Sequence, residues 1–255
     1  MKTVRLTVSY DGTNYHGWQV QPNGISIQQV LQEKLAVITG AEVPVLSAGR
    51  TDAGVHALGQ IAAFRTSSRH EPEVFLRALN ATLPADIRVL DAAAAEDAFH
   101  PRFDAVKKVY AYIIANCRDL SPFAARYAWK IPHPLQIDRM KAASACLLGK
   151  HDFSAFRASG CGARTTVRSM ENIDITAHSG IDFLGLRLEG EFIVIRITAD
   201  AFLRHMARNI VGTLVEVGLK KREADAVPEL LRSKNRPDAG PTAPACGLFL
   251  ERVFY

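Results

Sequence analysis

Arg50 and Asp52 stand one residue apart in the run GRTDAGVHA at residues 49–57, a polar segment punctuated by Gly49 and Gly54. Glycines let the backbone turn tightly and a ligand approach closely, so a carboxylate there can serve as base or nucleophile while the guanidinium meets an anion. The same spacing also fits an ordinary turn, with Asp52 in an Asx turn and Arg50 solvated. A second polar run, DGTNYHGWQ at residues 11–19, carries Tyr15 and Trp18 among its donors. These rings either form a base-stacking surface or pack beneath their own loop. His16 and His56 lack any HExxH or clustered Cys/His spacing, so no metal site is expected.

Three basic groupings follow. Lys107 and Lys108 precede Tyr110 and Tyr112, which share one face of a predicted strand and read as core or as RNA contacts behind a basic entrance. Arg204 and Arg208 fall at i and i+4 of a predicted helix over residues 202–217. Like charges so placed cost a few tenths of a kcal/mol, roughly, unless an anion meets them. Arg157, Arg164 and Arg168 occupy a Gly/Ser/Cys-rich stretch that either tracks phosphates or lies solvated.

The elements that must position these residues show in the periodicity. Val4, Leu6, Val8 and Tyr10 alternate with polar residues as in a half-buried strand. Ser26 and Gln29 offer a capping box for a helix that Gly40 stops. Further strands are predicted at residues 43–48, 60–65 and 87–91, with a helix at 73–83. The first half therefore spells strand, helix, strand, strand, helix, strand. The second half repeats that order: a strand at 106–115, a helix at 137–148, a strand at 170–176, a hairpin of 183–188 with 192–198 turning at Glu189-Gly190, and helices at 202–217 and 223–232. An alternating strand over 247–255 closes it. The expected fold is α+β, two ferredoxin-like halves divided into residues 1–104 and 105–255, with the cleft between them as the natural site.

Composition narrows the classes. The 255 residues are 48% hydrophobic and 22% charged, with Lys+Arg exceeding Asp+Glu by 31 to 26, a net charge of +5. Such a chain buries a core, argues against long disorder, and tolerates a polyanionic partner without identifying one. It contains no apolar run of the ~18 residues a membrane span needs, and no visible export signal. The four cysteines form no C-x-x-C pair, which fits a reducing cytoplasm.

Taken together, GRTDAGVHA, SYDGTNYHGWQVQ (residues 9–21), FHPRFDA (99–105), KVYAY (108–112), LLGKHDFSAFR (147–157), AFLRHMARNIVG (201–212) and APACGLFLERVFY (243–255) closely resemble the TruA-type tRNA pseudouridine synthases, in the family's order and across both halves. The resemblance implies two halves joined around a central RNA-binding cleft. It also implies an isomerase without metal or organic cofactor that acts on uridines 38, 39 and 40 of the tRNA anticodon arm, as a homodimer. Asp52 matches the catalytic aspartate, nucleophile at C1′ or base at C2′. Arg50 matches the residue that helps hold the flipped nucleotide, Tyr110 the tyrosine that stacks on uracil, and Arg208 the arginine that keeps the carboxylate charged. Arg164 and Arg168 are expected to grip the tRNA body. One position departs from the pattern, Asp200 where the family usually has asparagine. Asp200 either caps the following helix or competes for Arg208. The rival reading is a non-catalytic RNA-binding module. A glycoside hydrolase fits less well, because the loop supplies one carboxylate where that chemistry uses two.

Overall fold

The structure, a computed structural model, describes residues 1–183 and 185–255. Its contacts separate into two compact units, one of residues 1–106 with 249–255 and the other of residues 107–248.

The first unit runs β1 (Lys2–Tyr10), α1 (Ile27–Thr39), β2 (Val45–Ser47), β3 (His56–Thr66), α2 (Pro72–Thr82) and β4 (Ile87–Ala95). Strand β1 lies between β4 and β3, antiparallel to both, and β2 pairs antiparallel with β3. That is the strand order of a split βαβ pair, as the element order predicts. Val4, Leu6 and Val8 are fully buried. A one-residue slip of β1 would expose all three, at roughly 5–9 kcal/mol from the ~1.5–3 kcal/mol that each buried aliphatic contributes. That rivals the whole stability of a domain, so the alternation sets the register. The Ser26 hydroxyl accepts the Gln29 amide, and Gly40 ends α1 in the left-handed region. The Gln29 side chain donates forward to Glu33, leaving the capping box half made. Helices α1 and α2 pack together, and Phe75 of α2 meets Phe64 of β3 edge-on at 5.1 Å.

The second unit contains β5 (Lys107–Ala115), α3 (Pro122–Ala125), β6 (Trp129–Lys130), α4 (Ile137–Ala145), β7 (Gly149–Asp152), β8 (Val167–Phe183), β9 (Leu186–Ala199), α5 (Met206–Gly218) and α6 (Ala226–Ser233). Strand β9 sits between β5 and β8, antiparallel to both, with β7 outside β8. Here the hairpin differs from expectation. Glu189-Gly190 is not its turn but lies inside β9, where the pairing slips from His178↔Phe192 to Gly180↔Glu189. One extra residue on β9 makes a bulge, which a strand glycine marks as readily as a turn. The expected strand over 183–188 includes residue 184, outside the described residues.

Helix α5 also starts later than its periodicity suggests, at Met206, because His205 takes φ 62° just before it. Every residue of α5 except Arg208 and Glu216 is buried. The segment after α6 runs along it. Asn209 Oδ1 accepts from Arg236 Nη2 at 3.0 Å and Thr242 Oγ1 at 2.7 Å, its Nδ2 donates to Phe156 O, and the Gly240 amide donates to Thr213 Oγ1. These bonds satisfy polar groups that burial alone would penalise.

The closing strand, β10 (Leu248–Phe254), brings Phe249 and Leu250 parallel to His56 and Ala57 of β3 in the first unit. Leu248, Leu250 and Val253 are buried. The apolar alternation of the C-terminal segment is thus consumed within the chain. Among the described residues, no helix is long and apolar enough to cross a membrane.

Candidate active site

Asp52 lies in the first unit, on the short connection between β2 and β3. That connection is pinned on both sides of it. Ahead of Asp52, the Gly49 carbonyl accepts Gln60 Nε2 at 2.8 Å and the Ser47 hydroxyl at 3.2 Å. Thr51 Oγ1 lies 2.8 Å from the Tyr10 hydroxyl, and the Thr51 carbonyl accepts the Trp18 amide at 3.1 Å. Behind it, the Val55 amide returns to Asp52 O at 3.1 Å, and the Gly54 amide donates to Tyr15 O at 3.3 Å. The turn is therefore closed by the backbone carbonyl of Asp52. Thr51 is buried, Asp52 half-buried and Arg50 exposed, so the carboxylate stands where a fixed backbone meets solvent.

The loop over residues 11–19 is the clamp on this connection, and its aromatics settle one alternative. Trp18 is 2% exposed and packs 6.1 Å from Tyr10, while Tyr15, 8% exposed, donates its hydroxyl to Asp86 at 2.6 Å. Both rings support their own loop and present no stacking surface. Burial and the Asp86 carboxylate also push the Tyr15 phenol well above its ordinary pKa. His56 is buried and stacked on Phe249 at 4.7 Å. Its Nδ1 lies 3.1 Å from both the Gly12 amide and Asp11 Oδ1, which ties the ring into the neighbouring loop.

Tyr110, Arg208, Arg164 and Arg168 fall in the second unit. Tyr110, on β5, is 8% exposed and meets Phe202 edge-on at 4.8 Å. Arg208 projects from the first turn of α5. Its Nε donates to Ala243 O at 2.7 Å, and the Ala243 amide returns to Arg208 O, so the residue is braced against the segment before β10. The Tyr112 hydroxyl donates to Pro244 O on the same segment, and burial holds that phenol far above its usual range. Lys107 pairs with Glu171 at 2.8 Å and Lys108 is buried, which moves that basic entrance toward a structural role.

One expectation about the arginines changes, and so do both readings of Asp200. Arg204 precedes α5, so it and Arg208 are not successive turns of one helix. Arg204 is held instead by the loop after Phe156, donating to Ser159 O while its own carbonyl accepts the Ala158 amide. The exposed Arg164 and half-buried Arg168 flank the start of β8, and Arg168 donates to the Val167 carbonyl. Asp200 neither caps α5 nor takes Arg208. Its Oδ1 accepts the Ser169 and Ala201 amides at 3.0 and 2.6 Å, an acceptor role that an asparagine oxygen fills equally well.

Sequence reasoning missed Tyr10 and Gln60 as parts of the site. The available signal was a glutamine immediately before the apolar run IAAF and a tyrosine closing an apolar alternation, both next to a glycine-bounded loop.

Comparison with known proteins places the sequence in a family. A family model described as tRNA pseudouridine synthase matches residues 6–104 and 143–255. The tRNA pseudouridine synthase A of Geotalea uraniireducens is 47% identical over 255 residues, covering all of both chains. That of a Thermoanaerobacter species is 45% identical with the same coverage. That of Myxococcus xanthus is 46% identical over all of this chain and 92% of its own.

Proposed function

The chain belongs to the tRNA pseudouridine synthase family, and from that premise we propose that it isomerises uridine to pseudouridine at positions 38, 39 and 40 of the tRNA anticodon arm. The reaction is intramolecular. The C1′–N1 bond breaks, uracil turns, a C1′–C5 bond forms, and the C5 proton leaves while N1 gains one.

Asp52 carries the chemistry, attacking C1′ or deprotonating C2′. What supports this most is the loop itself. It is pinned at residues 49, 51, 52 and 54 while the carboxylate stays half-buried, and a fixed backbone under a partly solvated acid is the preorganisation such a step needs. On the family resemblance, Tyr110 stacks on the target uracil, Arg208 keeps the carboxylate ionised, and Arg50 helps hold the nucleotide flipped out of its stack. Arg164 and Arg168 grip phosphates of the tRNA body. The enzyme works in the cytoplasm, where tRNA matures, as a homodimer and without metal or organic cofactor.

Three neighbouring targets in one pocket require recognition by RNA shape and phosphates more than by base edges. Mapping pseudouridine in unmodified tRNA transcripts after incubation with the enzyme tests this. Product confined to residues 38–40 of the RNA supports the proposal, and product elsewhere with those sites untouched refutes the choice of target.

A further inference from the structure

Tyr10 on β1 and Gln60 on β3 lie diagonally across the two paired strands, with Gln60 opposite Val8 and Tyr10 opposite Ala57, and are buried at 3% and 0% exposure. Burying a phenol hydroxyl and a carboxamide costs free energy that a phenylalanine and a leucine would not, unless the polar ends are bonded. Their bonds lead to one place. Gln60 Nε2 donates to Gly49 O at 2.8 Å, and the Tyr10 hydroxyl lies 2.8 Å from Thr51 Oγ1 and beside the Gln60 amide. Among the described residues, Gln60 Oε1 finds no partner of good geometry. These polar groups serve the core poorly and the loop well, holding residues three and one before Asp52.

We infer that Tyr10, Gln60 and Thr51 form a buried clamp that positions the Asp52 loop for catalysis. The inference rests on Asp52 as the acting carboxylate. None of the three touches substrate; they are positioning residues that act through the loop backbone. A hydroxyl-to-hydroxyl bond shielded from water and a partly shielded amide-to-carbonyl bond hold a short connection more stiffly than solvated bonds would. Displacement of a reacting group by about 1 Å can cost on the order of 100-fold in rate, so a loosened loop should slow chemistry while leaving tRNA affinity alone.

The test uses the full chain with Tyr10→Phe, Thr51→Val, Thr51→Ser, the double variant Y10F/T51V, and Asp52→Asn alongside. Single-turnover rates at saturating enzyme and tRNA dissociation constants are measured below every variant's unfolding transition. Y10F and T51V should each lower the rate about tenfold or more with Kd within about twofold. The double variant should be no slower than the slower single, because both break one link. T51S keeps the hydroxyl and should run near the wild-type rate. If Y10F proves unstable, the T51V and T51S pair reads the same bond from its other end. Wild-type rates in T51V, equal losses in T51S and T51V, additive losses in the double, or losses confined to Kd would each overturn the clamp. An inactive D52N beside unimpaired Y10F and T51V removes the clamp alone, whereas an active D52N removes the reading of Asp52 on which it stands.

Discussion

Gly17 and Gly40 form a matched pair of probes for how tightly the Asp52 loop is held. Both sit in the left-handed region, at φ 87° and 72°. A side chain there costs about 1–2 kcal/mol for conformation alone. At Gly40 a β-carbon meets nothing within 4 Å, so Gly40→Ala should cost only that amount. At Gly17 the same β-carbon falls 2.5 Å from Thr51 O, 3.0 Å from the Asp52 carbonyl carbon and 3.1 Å from Ala53 N. All three are backbone atoms, so no side chain can swing aside, and overpacking adds about 1–3 kcal/mol. Gly17→Ala should thus cost about 2–5 kcal/mol in total. At roughly 2–4 °C per kcal/mol for a chain of this size, its thermal midpoint should fall clearly further than that of G40A. The activity contrast is sharper. Relief of the clash at Gly17 pushes Thr51 to Ala53 outward, and a shift of about 1 Å predicts a loss approaching 100-fold in turnover. G40A, at the far end of α1, should keep the wild-type rate. The assay is tritium release from tRNA labelled at uridine C5, run below both transitions. Equal turnover in the two variants would refute the claim that contact with the 11–19 loop places Asp52.

Other expectations follow from single contacts. Asp200→Asn should leave stability and turnover unchanged, since one oxygen still accepts both amides, while Asp200→Ala should lose about 1 kcal/mol by chemical denaturation. Burial pushes the Tyr10 phenol up to about 12, with the Thr51 and Gln60 contacts opposing the shift. A pKa raised in the folded state gives stability that is complete below pH 10 and lost as pH rises through about 12. That is about 1 kcal/mol by pH 11 and 2 to 3 beyond pH 12. Y10F should lack this part of the alkaline loss, and parallel denaturation curves at pH 8 and pH 11 would expose a failure to converge. Removing the charges of Arg164 and Arg168 should weaken tRNA binding and reduce the salt slope by about one unit per lost phosphate contact without shifting product among the three uridines. A shift with normal affinity would make these arginines selectors of the target.

Much of this molecule is local enough to read from its residues. Val4, Leu6 and Val8 announce β1 because one face of it is buried, and Ser26 and Gly40 announce both ends of α1 because capping is decided by adjacent residues. What escaped is decided by partners distant in sequence. Glu189-Gly190 carries turn chemistry, yet seventeen-residue β8 supplies a partner along its length and turns the glycine into a bulge. Helix α5 looks as if it began four residues earlier than it does, because Phe202 and Leu203 are apolar at helical spacing while contacts to residues 158 and 159 hold Arg204 outside it. The pairing of β10 with β3 has no signal at either strand. At the site, Asp52 was legible as a carboxylate in a glycine-bounded turn. Tyr10 and Gln60 were not, because a strand pattern does not reveal which buried polar group faces a loop.

The most direct measurement is made on Asp52→Asn. This substitution keeps the shape of the side chain and leaves the pinned backbone intact, while removing the charge and the nucleophilic oxygen. Tritium release and tRNA affinity should be measured on the same preparation. The variant should bind tRNA as tightly as the parent or more so and release no tritium from C5-labelled uridine. Tritium release at the parent rate would contradict it, since a chain that isomerises uridine without this carboxylate does not use Asp52 for its chemistry.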